Sequence, residues 1–93
     1  MLILIIISYQ STQAVDVFVD NNYKFTQFLS LGSTGNEVRQ LQNKLKTLGL
    51  FNYPAITGYY GPVTKNAIKT FQQAHGLSPV GYVGPQTREA LKQ

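Results

Sequence analysis

The sequence predicts an all-α fold, a small three-helix bundle of Gly-rich turn-helix repeats preceded by an extended or weak β arm. Three observations carry that prediction. Residues 58–69 read GYYGPVTKNAIK and residues 81–92 read GYVGPQTREALK, so one pattern is written twice in a short chain. From Gly35 onward, Val38, Leu41, Leu45 and Leu48 fall at i, i+3, i+7 and i+10, a single apolar helical stripe. Each copy of the repeat also sets Gly-Pro ahead of its helical run. Proline at the first helical position needs no N–H partner and has its φ already set.

The opening run MLILIIIS is apolar but far shorter than the ~20 residues that cross a bilayer, so no stable membrane span is expected. With polar SYQSTQ and small Ala14 behind it, residues 1–14 read as a signal-peptide remnant. No Lys or Arg precedes the run, which leaves a buried strand as the alternative. Residues 15–28 alternate apolar and polar groups around Asp20, Asn21 and Asn22, as a weak hairpin or an arm lying on the domain would. Phe25, Leu29 and Leu31 are its expected anchors, and residues 29–93 form the expected domain.

The first helix is expected over 36–48, with Asn36 as N-cap, Glu37 favouring the positive first turn and Gly49 ending it in a left-handed conformation. Arg39, Gln40, Asn43, Lys44 and Lys46 take its other faces. GLFNYPAITG is a loop by its Pro54 and two glycines. The second helix is expected over 62–75, burying Val63, Ala67, Ile68, Phe71 and Ala74. The third is expected over 85–92, where Ala90 and Leu91 repeat Ala67 and Ile68. Leu41, Leu45, Leu48, Ile68, Phe71 and Leu91 should meet in one core. A diluted third copy lies at Gly32-x-x-Gly35, with Val38 in the place of Thr64.

Composition removes several kinds of chemistry. The chain has no cysteine, hence no disulfide, thiol nucleophile or Cys-based zinc site. Its one histidine, His75, precedes Gly76 and is read as a helix C-terminal partner. Asp16, Asp20, Glu37 and Glu89 are scattered, two in the arm and two read as helix-dipole partners, so no acid/base pair is visible. Gly-x-x-Gly ahead of a helix lacks the spacing and Lys-Ser/Thr ending of a phosphate loop. No cofactor or metal is expected, and the chain is read as not an enzyme. The net charge of +4 favours an anionic partner. A helix-turn-helix reading is disfavoured by the long stretch from Gly76 to Gly84 and the short third helix, so no nucleic acid partner is expected.

Taken together, LxxGSTGxxVxxLQxxLxxLGL, GYYGPVTKNAIKTFQQAHGL and GYVGPQTREAL resemble the bacterial peptidoglycan-binding domain of the first type, a three-helix wall-binding module of cell-wall hydrolases. The resemblance covers residues 29–92. Where that family usually has Asp before the Gly that opens a repeat, this chain has Thr57 and Val80. Thr57 can replace part of the missing hydrogen bonding; Val80 cannot. The related propeptide domain of matrix metalloproteases works beside a cysteine, which is absent here.

The resemblance implies non-catalytic binding of peptidoglycan, both glycan and stem peptide, by a secreted or cell-envelope protein, in the service of an attached or partner hydrolase. The alternative is a helical protein-interaction or prodomain-like module without sugar affinity. Tyr59 and Tyr82 are aromatic in both copies, whereas Tyr60 is matched by Val83 and is read as core. The expected ligand-binding set is Tyr59, Tyr82, Thr64, Thr87, Lys65 and Arg88, corresponding residues of the two repeats. Asn52 and Tyr53 are candidates to join it, and Gln42 and Gln72 are read as structural.

Overall fold

The computed structural model describes residues 22–92; residues 1–21, which include the expected signal remnant and the first part of the arm, lie outside the described residues. Three helices follow one another, α1 (Asn36–Thr47), α2 (Pro62–Ala74) and α3 (Pro85–Ala90). The only ladder pairing among the described residues is two single antiparallel bridges, Leu29 with Val83 and Thr34 with Tyr59.

Those bridges join the three repeat turns into a hub. Leu29 and Val83 exchange both backbone bonds at 3.2 and 2.7 Å, and the Gly32 N–H donates to Tyr60 O at 2.9 Å while Tyr60 N–H donates to Ser33 O at 2.9 Å. The Tyr60 hydroxyl completes the circuit by donating to Gly81 O at 2.7 Å. Each helix springs from this hub behind a glycine cap, Gly35, Gly61 or Gly84. Asn36 is therefore not the cap but the first helical residue, the place held by Pro62 and Pro85 in the other copies. The pairing of Gly35 N–H with Gly58 O at 3.0 Å sets that start one residue early.

The core runs through the centre of the hub. Val38, Leu41 and Leu45 of α1 face Ala67, Ile68 and Phe71 of α2, with Tyr60, Val83 and Leu91 closing the turn side. Leu48 does not join them and is 46% exposed. Helix α1 ends at Thr47, and Leu50 N–H turns back to Leu45 O at 2.8 Å while Gly49 N–H bonds Lys46 O, a Schellman turn. That turn carries Phe51 over the end of the core in place of Leu48. Val63 is also exposed, because the buried stripe of α2 begins at Thr64 and Val63 stands about 100° away from it. Ala74 is exposed in the last turn, beyond Phe71 and Gln72. Helices α2 and α3 stop at Ala74 and Ala90, short of the expected 75 and 92, with His75 and Leu91 as C-caps.

The arm lies on the domain. Phe25 and Leu29 are buried as expected, but Leu31 is exposed. A turn closed by Ser33 N–H to Ser30 O at 2.9 Å places Leu31 at an outer corner. Glu37 has a larger part than that of a dipole partner. Its buried carboxylate accepts from Thr26 N–H at 2.9 Å, Gln27 N–H at 2.7 Å and the Tyr23 hydroxyl at 3.0 Å. Burial, then the hydrogen bond to Glu37, raises the Tyr23 pKa above the usual phenol value. Glu89 sits in the last turn of α3 and pairs with Lys92 at 3.1 Å.

Leu45→Ala is expected to cost about 2–5 kcal/mol in urea unfolding, because Leu45 is fully buried and a cavity would remain. A loss below about 0.5 kcal/mol would contradict the packing described. Burial also raises the Tyr60 phenol far above its usual range. The folded state holds that proton more tightly than the unfolded chain, so this stabilisation is complete below about pH 10 and is lost as pH rises beyond it. Tyr60→Phe should cost about 1 kcal/mol near neutral pH, through the lost bond to Gly81 O, and should flatten the alkaline decline in melting temperature.

Candidate binding clefts at the repeat turns

One glutamine per helix ties that helix to the turn that follows it. Gln42 Oε1 accepts from Gly58 N–H at 2.9 Å, while its Nε2 donates to Tyr59 O at 2.9 Å and Thr64 Oγ1 at 3.1 Å. Gln72 repeats the arrangement one turn later, accepting from Gly81 N–H at 3.0 Å and donating to Tyr82 O at 2.8 Å and Thr87 Oγ1 at 3.1 Å. Both amides are buried, so a fully matched donor and acceptor set is what makes them tolerable there. Thr64 and Thr87, expected to face a ligand, are buried with their hydroxyls turned to these amides. They shape the cleft floors from within.

The departure at Thr57 and Val80 is visible in the same bonds. Thr57 Oγ1 accepts from Tyr59 N–H at 3.1 Å and from Gln42 Nε2 at 3.2 Å. Val80 offers neither. Gly58 and Gly81 adopt φ of +78° and +87°, and a Cβ on either would meet the Arg39 or Lys65 side chain at 2.9 Å. The cation four residues beyond each helix-capping glycine thus lies across the turn of the next repeat. Arg39 belongs to this series with Lys65 and Arg88, although only the latter two were singled out from the sequence. The Val38 for Thr64 exchange beside it disguised the correspondence. Arg88 continues the circuit, its Nη1 donating to Gln27 O of the arm at 3.3 Å.

With the turn so held, Tyr59 points outward and Tyr60 inward. Tyr59 is 52% exposed, with its ring edge 3.0 Å from where a Cβ would stand on Gly61. It walls a cleft of about 370 Å³ with Phe51, Tyr53, Pro62 and Val63, floored by Gln42 and Thr64. Tyr53 therefore joins Tyr59, while Asn52, also exposed, does not line the cleft. Tyr82 walls a repeat-related cleft of about 360 Å³ with Leu77, Val80, Pro85 and Gln86. Lys65 lies on the Tyr82 side, lining a smaller hollow with Leu31 and Gly81. Arg88 is half-buried against the arm and lines neither cleft.

His75 stays with the helix end it was assigned to. Its Nδ1 lies 3.0 Å from Phe71 O and its ring stacks on Phe71 at 4.1 Å. Among the described residues no group of three or more His, Cys, Asp or Glu is placed to hold a metal ion. Nor is any helix among them long and apolar enough to cross a membrane.

A family model described as "Putative peptidoglycan binding domain" matches residues 34–91. The chain belongs to that family. It is 41% identical over 66 residues to the zinc D-Ala-D-Ala carboxypeptidase of Streptomyces albus G, covering 64% of this chain and 24% of the enzyme. It is 49% identical over 51 residues to the N-acetylmuramoyl-L-alanine amidase CwlL of Bacillus licheniformis, covering 47% of this chain and 14% of that protein. The chain thus spans a quarter or less of the relatives it matches. The N-terminal domain of SleB superposes with a TM-score of 0.68 at 30% identity, over 74% of this chain and 93% of that domain. The all-α architecture and the three turn-helix units described above are those of a peptidoglycan-binding domain.

Gln42→Ala strands the buried Gly58 N–H and should cost about 1–3 kcal/mol. Hydrogen exchange separates the two turns. The Gly58 amide should lose protection in Gln42→Ala while Gly81 keeps it, and Gln72→Ala should give the converse. Equal loss at both amides would show that the glutamines act only through global stability.

Proposed function

We propose that this chain is a non-catalytic module that binds peptidoglycan outside the cytoplasmic membrane and holds an attached or partner hydrolase on its polymeric substrate. Tethering of that kind raises the effective concentration of enzyme at the polymer without adding a chemical step. Family membership supports the wall polymer as ligand. The single observation that carries the site is the cleft at the start of α2, where an exposed tyrosine is held against a glycine with a second aromatic across from it.

The chemistry suits a glycan. One face of the Tyr59 ring is spent on Gly61 and the other is open, so a sugar's C–H face can lie on it while the hydroxyl reaches the ring substituents. Phe51, Pro62 and Val63 supply further apolar wall, and Tyr53 adds a second hydroxyl at the rim. Arg39, lying over Gly58 beside this cleft, is placed to meet a stem-peptide carboxylate, the part first assigned to Lys65 and Arg88. Arg88 is occupied with the arm, and Lys65 serves the Tyr82 side. The one histidine is held at a helix end, which supports the non-catalytic reading.

Retention of the purified chain on insoluble sacculi, with chitin, cellulose and DNA as controls, tests the reading. The chain should be retained on sacculi and should release no reducing ends or free amines from them. The Tyr53→Ala, Tyr59→Ala double variant should bind roughly tenfold more weakly, about 1–3 kcal/mol for two lost aromatic contacts, with unchanged circular dichroism. Failure of the wild-type chain to bind sacculi would refute the function. Wild-type affinity in the folded double variant would move the site elsewhere.

A further inference from the structure

A second exposed apolar surface lies where the arm crosses the third repeat turn. Phe28, 59% exposed, packs on Tyr82, 43% exposed, with ring centroids 5.3 Å apart and planes tilted by 38°. Val80 and Leu31, both exposed, continue the surface. Tyr82 and Val80 form a partition with a hollow on each side: the cleft of about 360 Å³ toward Pro85 and Gln86, and one of about 150 Å³ toward Leu31 and Lys65. Exposed aromatics in contact on a surface otherwise rich in polar groups mark a place where something binds.

Three features say what it would take. Tyr82, Gly84, Pro85 and Thr87 stand in this cleft as Tyr59, Gly61, Pro62 and Thr64 stand in the first, on the same glutamine-held turn and at nearly the same volume. A cation from the preceding helix accompanies each tyrosine, Arg39 across Gly58 and Lys65 across Gly81. Both acidic side chains among the described residues are engaged elsewhere, Glu37 by the arm and Glu89 by Lys92, so Lys65 keeps a positive charge beside Tyr82. An aromatic platform beside a cation fits a sugar that carries a peptide carboxylate. Side chains build this site; the short helix α3 contributes only the Pro85 and Gln86 wall.

We propose that the Phe28–Tyr82 surface with Lys65 is a second, independent subsite for the wall polymer, so that one domain holds two disaccharide-peptide units. This rests on the function proposed above. The two subsites are not copies in detail. Phe51 and Tyr53 of the long loop furnish the first, and Phe28 of the arm furnishes the second. A repeating polymer engaged at two points binds with avidity that a single soluble unit cannot show.

The test is a nuclear magnetic resonance titration of the 93-residue chain with a soluble disaccharide-tetrapeptide, beside retention on sacculi. Two groups of amides should shift with separate saturation, one around residues 51–64 and one around 28–31 and 80–87. Tyr82→Ala should abolish the second group, leave the first, and weaken sacculus retention at least tenfold through lost avidity. Phe28→Ala should act alike without touching the repeat, and Lys65→Gln should weaken the second group's shifts and flatten their salt dependence. A single shifting group, or unchanged sacculus retention in folded Tyr82→Ala and Phe28→Ala, would overturn the second subsite while leaving the proposed function standing. No shift together with no retention of the wild-type chain would remove both.

Discussion

A primary amide presents an acceptor and a donor pointing in different directions, and the fold depends on two of them. Gln42 and Gln72 each meet a turn's N–H and the next residue's carbonyl with one planar group, which fixes both the distance and the rotation of that turn relative to the helix. Because the groups are buried, a slipped register would leave several unmatched at once, so the arrangement is all or none. The remaining features follow from that constraint. Tyr60 and Val83 are turned into the core, Tyr59 and Tyr82 are turned out, and the threonine that opens each helix is drawn under the cleft.

The first turn shows what happens without such an amide. No glutamine-bearing helix precedes Gly32, and its N–H goes to Tyr60 O while Leu29 pairs with Val83. Turn one is thus held by the other two turns, and it carries Ser33 where they carry Tyr59 and Tyr82. The position relieved of a helix tie has also lost its aromatic, which is why two clefts accompany three repeats.

Much of this was legible in the sequence, because repetition and period report on backbone geometry. The glycine-proline helix starts, the inward Tyr60 and the stop at Gly49 could be read from spacing alone. Leu48 and Val63 could not, since the period counts residues along a stripe and does not say where a Schellman turn or a cap will cut the stripe off. The glutamines were suspected to be structural, but their common task was hidden: Gln42 lies sixteen residues before its glycine and Gln72 nine before its own. Glu37 was read only through its helix because its partners lie in an aperiodic arm. The contact of Phe28 with Tyr82 depends on the path of that arm, which no local pattern encodes.

The carboxylate of Glu37 also decides where the domain begins in a mechanical sense. By gripping the backbone at Thr26 and Gln27 and the hydroxyl of Tyr23, it welds residues 23–28 to the body, where a boundary drawn from the repeats would leave them free. Six residues removed from a flexible leash shorten its greatest reach by about 20 Å. The pivot for anything upstream is displaced to the same margin of the molecule as Phe28. A catalytic unit swinging from that pivot would sweep the polymer close to where it is gripped, and its cutting radius would be set by a buried glutamate.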